Sequence, residues 1–462
     1  MKASWAVLNT TIGKNPEKVC NYTKLNIDGA NVTDKQTIAE YFNNYFTHIG
    51  KNLADTLPEL ETTPQDYLSG DYPNNMFIEP VIPEEVLKLI KSLKTKTSCG
   101  HDEISSKLLK TVADEITVPL AHILNISFST GEIPEDMKIA KVIPIFKSGD
   151  KCSLNNYRPI SLLSVFSKIM EKAMCNRLTN FLESNNILYK HQYGFRKGHS
   201  TLHPIIHLLN NIATANDKNP PHYCLSIFLD LSKAFDTLSH NILINKLRHY
   251  GVRGIVNDWF SNYLTNRKQY VDLNGIKSAQ ATITCGVPQG SILGPILFLI
   301  YINDISNITS ENLLSFADDT TLFLADCNIE NLYRQGNIEL KNLYTWLCTN
   351  KLSLNINKTK YIIFRSPQRH KKLEHYKLKL LGKEIERVGN DMTNKSIKFL
   401  GVHMDEHLTW KSHISYVNKK MSQALFAINQ TKNFLPTDAK LSLYYTLVYP
   451  HLSYGIRNAN KT

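Results

Sequence analysis

The sequence is short of several things, and each shortage narrows what the chain can be. No run of about 18 apolar residues occurs, the length a helix needs to cross a bilayer. The longest candidate, Ile292 to Ile302, is interrupted by Gly294-Pro295. The first residues, Met1-Lys2-Ala3-Ser4-Trp5, lack the apolar core of a signal peptide. Eight cysteines lie at 20, 99, 152, 175, 224, 285, 327 and 348, and none form a Cys-x-x-Cys pair. That argues against a disulfide framework or a zinc site and for free thiols in a reducing compartment. Neither an internal repeat nor a low-complexity tract is present. Acidic residues are also scarce: 41 Asp and Glu stand against 53 Lys and Arg, a net charge of +12. Such an excess favours a polyanionic partner, for which nucleic acid is the usual candidate.

What remains is an ordinary globular composition, 42% hydrophobic, in a chain of 462 residues. That length exceeds one core and predicts two to four packed units. Residues 1 to about 80 are polar, rich in Asn and Thr, and read as a loosely organised extension or linker. One helix is expected there, from Asp34 to His48, with Tyr41, Phe42, Tyr45 and Phe46 on one face. Pro83-Glu84-Glu85 opens a helix reaching Leu93. Lys138 to Phe146 reads as a strand. A long amphipathic helix is expected after Tyr157-Arg158-Pro159. Its apolar face is Leu162, Phe166, Ile169, Ala173, Leu178 and Leu182, with Lys168, Glu171, Lys172 and Arg177 on its surface. Tyr223 to Leu229 reads as a strand and 240 to 264 as helical. Short strands at 270 to 273 and 281 to 285 flank an Asn274-Gly275 turn. Ser291 to Ile305 reads as a helix, and Leu313 to Ala317 with Thr320 to Ala325 as a hairpin. A helix is expected at about 329 to 348, strands at 360 to 364 and 397 to 403, and helices from about 410 to 450.

Two acidic clusters dominate the chemistry. Asp230 follows the strand ending at Leu229, and Asp318-Asp319 occupy the turn of the hairpin, 88 residues further on. Adjacent aspartates repel unless a cation lies between them. Turn chemistry alone explains the pair equally well. If the two strands are sheet neighbours, Asp230 and Asp318 can share two divalent ions about 3.5–4 Å apart, the arrangement that serves in-line phosphoryl displacement. Between the clusters lies Gly286-Val287-Pro288-Gln289-Gly290-Ser291-Ile292-Leu293-Gly294-Pro295. Its glycines allow a backbone to approach a ligand closely, and Gln289 offers both a donor and an acceptor. Lys147 and Arg158 follow a strand in polar loops, where Arg grips phosphate bidentately and Lys supplies a point charge.

These segments resemble motifs A (228–236), B (286–295) and C (316–320) of reverse transcriptases, most closely those of non-LTR (LINE-type, jockey-like) retrotransposons. The similarity extends to 141–161 and 192–201 in the fingers motifs and to Gly100, Asp102 and Ile104 in the extra N-terminal block. It continues to 346–358 in motif D and 398–402 in motif E. Phe316 stands where retroviral enzymes usually carry Tyr and where non-LTR enzymes more often carry Phe.

The resemblance implies an α+β right-hand polymerase with fingers, a ferredoxin-like palm and a helical thumb. Its units would be an extension at 1–80, fingers at 81–222, palm at 223–405 and an incomplete thumb at 406–462. It implies an RNA-directed DNA polymerase of a mobile element. Such an enzyme joins deoxynucleoside triphosphates to a primer 3′-hydroxyl on an RNA template, with Mg²⁺, or Mn²⁺ as substitute. Asp230, Asp318, Asp319 and the Leu231 carbonyl match its metal ligands, and Lys147 and Arg158 its triphosphate contacts. Phe235 matches the ring that excludes a 2′-hydroxyl. Gln289 and Gly290 match its nucleotide contacts, and Lys358 the lysine that protonates pyrophosphate. Implied partners are RNA template, DNA primer or target DNA, and dNTPs, with no membrane. The implied setting is an intracellular ribonucleoprotein in nucleus and cytoplasm. No endonuclease domain precedes these motifs and no zinc knuckle follows, so a fragment of a longer reading frame is expected. The alternative is a catalytically inactive or co-opted RNA-binding remnant.

Overall fold

The computed structural model describes residues 24–27, 30–309, 312–369, 373–431 and 433–454. Cys20 and the first five residues lie outside these, and the other seven cysteines are free thiols. No helix among the described residues is long and apolar enough to cross a membrane.

The chain begins with a small hairpin, β1 (Leu25–Ile27) and β2 (Ala30–Val32), then α1 (Lys35–Asp55), α2 (Pro83–Ser92), α3 (Ser106–Thr111) and α4 (Ala113–Thr130). Strands β3 (Ile139–Phe146) and β4 (Tyr157–Leu163) precede α5 (Val165–Ser184) and α6 (Leu202–Asn216). Next come β5 (Tyr223–Leu229), α7 (His240–His249), α8 (Ile255–Leu264), β6 (Lys268–Leu273), β7 (Ile276–Lys277), β8 (Ala281–Thr282) and α9 (Gly294–Ile302). The hairpin β9 (Asn312–Phe316) and β10 (Asp319–Asp326) leads through α10 (Ile329–Thr349) to β11 (Lys360–Phe364). Short strands follow: β12 (Lys379–Leu380), β13 (Lys383–Glu384), β14 (Glu386–Val388), β15 (Ser396–Phe399) and β16 (Val402–Asp405). The helices α11 (Lys411–Gln430), α12 (Thr437–Leu447) and α13 (Tyr449–Ser453) close the described chain.

Two five-stranded sheets organise this mixed α and β structure. The first has the order β14-β11-β5-β10-β9. Its central part is a β–α–β–β–α–β unit in which β5 pairs antiparallel with both β10 and β11. β5 is apolar apart from Ser226 because both faces are covered. Leu225, Ile227 and Leu229 face the core that holds α9 and α10, while Cys224 packs with residues of α6 and the β15–β16 hairpin. Every residue of α9 from Ile296 to Ile302 is buried, as expected of a helix that is apolar all round. Each large side chain of that kind contributes about 1.5–3 kcal/mol on burial.

The second sheet has the order β4-β3-β6-β7, with β8 paired to β6. Asn274 and Gly275 both take positive φ, 56° and 99°, as a two-residue hairpin turn demands. α1 lies against this sheet, burying Ile38, Phe42 and Phe46 with Val142, Tyr157, Val271 and Leu273. Asn43 Nδ2 donates to Ala279 O at 2.8 Å, and Glu40 accepts from the Ala279 N–H at 2.8 Å. The stretch read from sequence as a loose extension thus carries a docked helix. Its expected apolar face needs one change: Tyr41 is exposed, since it lies one residue off the Ile38–Phe42–Phe46 row.

Several sequence readings shift. Residues 397 to 403, read as one strand, form the β15–β16 hairpin, turning at Leu400-Gly401, and Arg158, read in a polar loop, lies in β4. Leu162 belongs to β4, not to the following helix; buried residues alternate along Tyr157–Leu163 with the period of a strand. Pro159 inside that run had masked it. Residues 240 to 264 form two helices broken at Gly251, whose φ is 97° and where an added Cβ would meet Asn74 O at 2.3 Å. Glu171, read as a surface residue of α5, is buried.

Candidate active site

The acids gather at one end of the first sheet. In the β5–β10 pairing, Leu229 lies opposite Thr320. Continuing that register one step sets Asp319 across from Asp230, with Asp318 at the tip of the hairpin. The tip is tight: Ala317 takes φ 57°, and an added Cβ on Gly194 would sit 2.2 Å from Ala317 N. Gln192, buried, staples it. Its Oε1 accepts from the Ala317 N–H at 3.0 Å and the Gly194 N–H at 2.8 Å. Main-chain bonds from Tyr193 N to Ser315 O and from Ser315 N to His191 O fix the same segment to β9.

Asp230 is anchored by the loop after α10. Asn355 N donates to Asp230 O at 2.8 Å, and Ser232 N to Ser353 O at 2.8 Å. Thr359 Oγ1 accepts from Asp230 N at 3.3 Å. This brings Lys358 to the Asp230 carboxyl. Burial raises that carboxyl above its usual range, Lys358 and Lys147 pull it down, and Asp318 pushes it up. Asp319 presents an exposed surface, yet the protein crowded around its carboxyl, together with Asp318 and Asp230, raises it to about 6.

A cavity of about 710 Å³ opens above this sheet end. It is lined by Lys147 and Arg158 from the second sheet, by Asp230, Leu231, Phe235 and Asp318, by Gln289 and Gly290, and by Lys358. Asp319 faces a neighbouring cavity of about 530 Å³ that shares Asp230 and Lys358. The structure thus brings together every residue singled out from sequence, with Asp319 on the adjoining side. Among the described residues, neither Lys147, Arg158 nor Lys358 forms an ion pair with a carboxylate. Phe235 stacks on Phe298 of α9 at 4.7 Å between centroids, with Phe195 edge-on at 6.3 Å. Its ring is therefore fixed as it lines the cavity.

The glycine-rich loop is held at both ends. Gly290 takes φ 122°, and an added Cβ there would meet Ser161 O at 2.7 Å. Ser161 N donates to Gln289 O at 2.8 Å, fastening the loop to the strand that carries Arg158. At the far end, buried Glu171 accepts from the Ile292 N–H at 2.6 Å and from the Tyr263 hydroxyl at 2.9 Å. Neither Glu171 nor Gln192 stood out from sequence. Both have polar neighbours in sequence, Lys168 and Lys172 for Glu171 and Lys190 and His191 for Gln192, so nothing local marks them.

The donor set suits a hard cation. It is all oxygen, and its members disfavour one another's ionisation. Among the described residues no three His, Cys, Asp or Glu side chains converge tightly enough to enclose an ion. Mg²⁺ is usually held by one or two carboxylates with substrate phosphate completing the shell, which this sheet end allows. The Leu231 carbonyl accepts no main-chain bond among the described residues and is free to take part.

Gln192→Ala leaves the Ala317 and Gly194 N–H groups unpaired. We expect it to destabilise the fold by about 1–3 kcal/mol, read as a lowered urea midpoint. An unchanged midpoint would show that the staple is dispensable.

Acids at one sheet end, faced by cations from a second sheet that form no ion pair among the described residues, give an arrangement whose chemistry suits a polyphosphate, as in nucleic-acid polymerases. Residues 145–404 match the family described as reverse transcriptase (RNA-dependent DNA polymerase). The chain is 31% identical over 448 residues to the probable RNA-directed DNA polymerase from transposon BS of Drosophila melanogaster, covering 91% of this chain and 46% of that protein. It is 27% identical over 406 residues to the RNA-directed DNA polymerase from mobile element jockey of the same species, covering 85% and 43%. It is also similar to its Drosophila funebris counterpart, 26% identical over 430 residues, covering 90% and 46%. The chain belongs to the reverse transcriptase family, in its jockey-like, non-LTR branch. It spans about half the length of these relatives.

Proposed function

We propose that this chain is the RNA-directed DNA polymerase of a jockey-like mobile element. In this reading it extends a primer 3′-hydroxyl with deoxynucleoside triphosphates on an RNA template, within an intracellular ribonucleoprotein. The observation that carries the proposal is the single cavity in which Asp230 and Asp318 face Lys147, Arg158 and Lys358. The β–α–β–β–α–β sheet then serves as a ferredoxin-like palm within 223–405. Fingers correspond to 81–222, and the helices from 406 onward to the thumb. Residues 268–282 belong to the palm in sequence but join the fingers sheet, which ties the two units together.

Asp230 and Asp318, with the Leu231 carbonyl and Asp319, would hold Mg²⁺, or Mn²⁺, which favours the same oxygen ligands. Such ions, when bound, supply positive charge to the attacking and leaving oxygens of the displacement. The chain's own groups bind and orient. Lys147 and Arg158 take the triphosphate, and Gln289 and Gly290 contact the nucleotide. The Phe235 ring, fixed by Phe298, lies under the sugar and leaves no room for a 2′-hydroxyl. Lys358 donates a proton to the departing pyrophosphate, a role that needs hydrogen-bond reach. Catalysis of this kind is largely positioning and electrostatics.

The test is primer extension on poly(rA)/oligo(dT) with dTTP and Mg²⁺, wild type beside Asp318→Asn/Asp319→Asn. Extension by wild type alone is expected. A folded wild type that binds RNA and extends nothing would instead establish the RNA-binding remnant.

A further inference from the structure

Gln289 is gripped by its side chain as well as its backbone. Its Nε2 lies 2.9 Å from each carboxylate oxygen of Asp236. A carboxylate only accepts, so the amide nitrogen faces Asp236 and the amide oxygen is left for the other side. Among the described residues that oxygen accepts no hydrogen bond. Gln289 lines the cavity and Asp236 does not.

Asp236 is itself immobilised. Its N–H donates to Lys233 O at 2.8 Å. The flanking main chain is joined to the glycine-rich loop by Val287 N to Phe235 O at 2.9 Å and Gly286 N to Leu238 O at 2.7 Å. From behind, α1 presses against it: an added Cβ on Gly50 would lie 2.0 Å from Asp236 O and 2.7 Å from Cys285 Sγ. A docked N-terminal helix, the turn carrying Asp230 and the glycine-rich loop therefore meet around Asp236, the helix at its main-chain oxygen and the loop, through Gln289, at its carboxylate.

We propose that Asp236 is a positioning residue for nucleotide addition: it fixes the Gln289 amide so that its oxygen, not its NH₂, meets the incoming nucleotide. This rests on the polymerase reading above. Without the carboxylate the amide rotates freely between its two faces, and a nucleotide selects one of them at the expense of affinity. The loss falls on binding rather than on the chemical step, because Asp236 touches no reacting atom.

The experiment is single-nucleotide incorporation by the full chain as wild type, Asp236→Asn, Gln289→Met and the double variant. Asp236→Asn is expected to raise KM for dTTP about tenfold or more, the worth of a hydrogen bond to a charged group. Its kcat should stay within about threefold, and its primer–template affinity and melting midpoint should hold. Added to Gln289→Met, it should cause no further loss, since both changes remove one interaction. Additive losses, or a fall in kcat and melting midpoint without a change in KM, would overturn the proposal. Asp236→Ser, smaller and neutral, replaces Asp236→Asn if that variant does not fold. If wild type extends no primer, the polymerase reading fails. The proposal is then judged by binding of a fluorescent dTTP analogue in Mg²⁺, where tighter binding by wild type than by Asp236→Asn supports it. Equal binding, or none by either, sinks it.

Discussion

Asp230→Asn is expected to reduce primer extension by a factor of about 10³ or more while leaving affinity for a primer–template nearly intact. Asn keeps the size and shape of Asp. What it removes is the charge, at the point where Lys358, Lys147 and Asp318 all act on the native carboxyl. A metal held there is worth several kcal/mol of transition-state stabilisation, and each 1.36 kcal/mol is tenfold in rate. Nucleic-acid binding draws on a different source. With 53 basic residues against 41 acidic, the proposed polymerase would grip template and primer through phosphate contacts spread over the surface, a grip expected to weaken steeply with salt. Removing one carboxylate from among these phosphates does not weaken that grip. The measurement pairs extension rates with equilibrium binding of a labelled RNA–DNA duplex at two salt concentrations. Parallel loss of both would mean that Asp230 holds the fold or the duplex and not the chemistry.

The acids were legible because they stand at element ends. A mostly apolar run stops at Leu229, and the strand ends there too. A turn between two apolar runs put Asp318 at the hairpin tip. The cations were harder to weigh. Lys147 and Arg158 are ordinary polar-loop residues by sequence, and only the second sheet, folding over the first, turns them toward Asp230. Least legible were the contacts that hold the site in shape. Gln289 and Asp236 lie 53 positions apart, and the amide–carboxylate contact leaves no periodic trace. Glu171 sits on a helix whose other charges are partly solvated, so its pattern reads as surface. Its true partner, the Ile292 N–H, is 121 positions away. Local periodicity reports which face of an element is apolar. It says nothing about which polar residue on that element meets a loop from elsewhere in the chain.

The same blindness hides the feature with the largest expected effect on stability. Lys246, on α7, is buried behind the sheet, where it donates to Asp304 and to the Tyr301 main-chain oxygen, the latter at 2.6 Å. Trp346 Nε1 donates to the other oxygen of Asp304 at 3.2 Å. The ammonium also lies 5.1 Å and 5.0 Å from the ring centres of Tyr301 and Trp346. One ion pair thus joins α7, the end of α9 and α10, the helices that back the acid-bearing strands. Burial lowers the lysine to about 8, with Asp304 opposing the fall. Lys246→Met leaves the Asp304 carboxylate buried without its counter-charge, and we expect a loss of about 3–5 kcal/mol. Asp304→Asn should be milder, because an amine already near 8 sheds its proton once the carboxylate is gone, whereas among the described residues a stranded carboxylate keeps the Trp346 N–H alone. The double variant Lys246→Met/Asp304→Leu should recover much of the loss, since an apolar pair of similar volume carries no desolvation penalty. The pH dependence has a definite sign in wild type. Between about 8 and 10.5 the unfolded chain holds a proton on this amine that the folded chain has released. Stability from this group therefore rises with pH through that window and is flat below it. Urea melts of the four proteins at pH 7 and pH 9 measure all of this. Equal losses from the two single variants, with none recovered in the double, would show that the pair does not act as one buried unit.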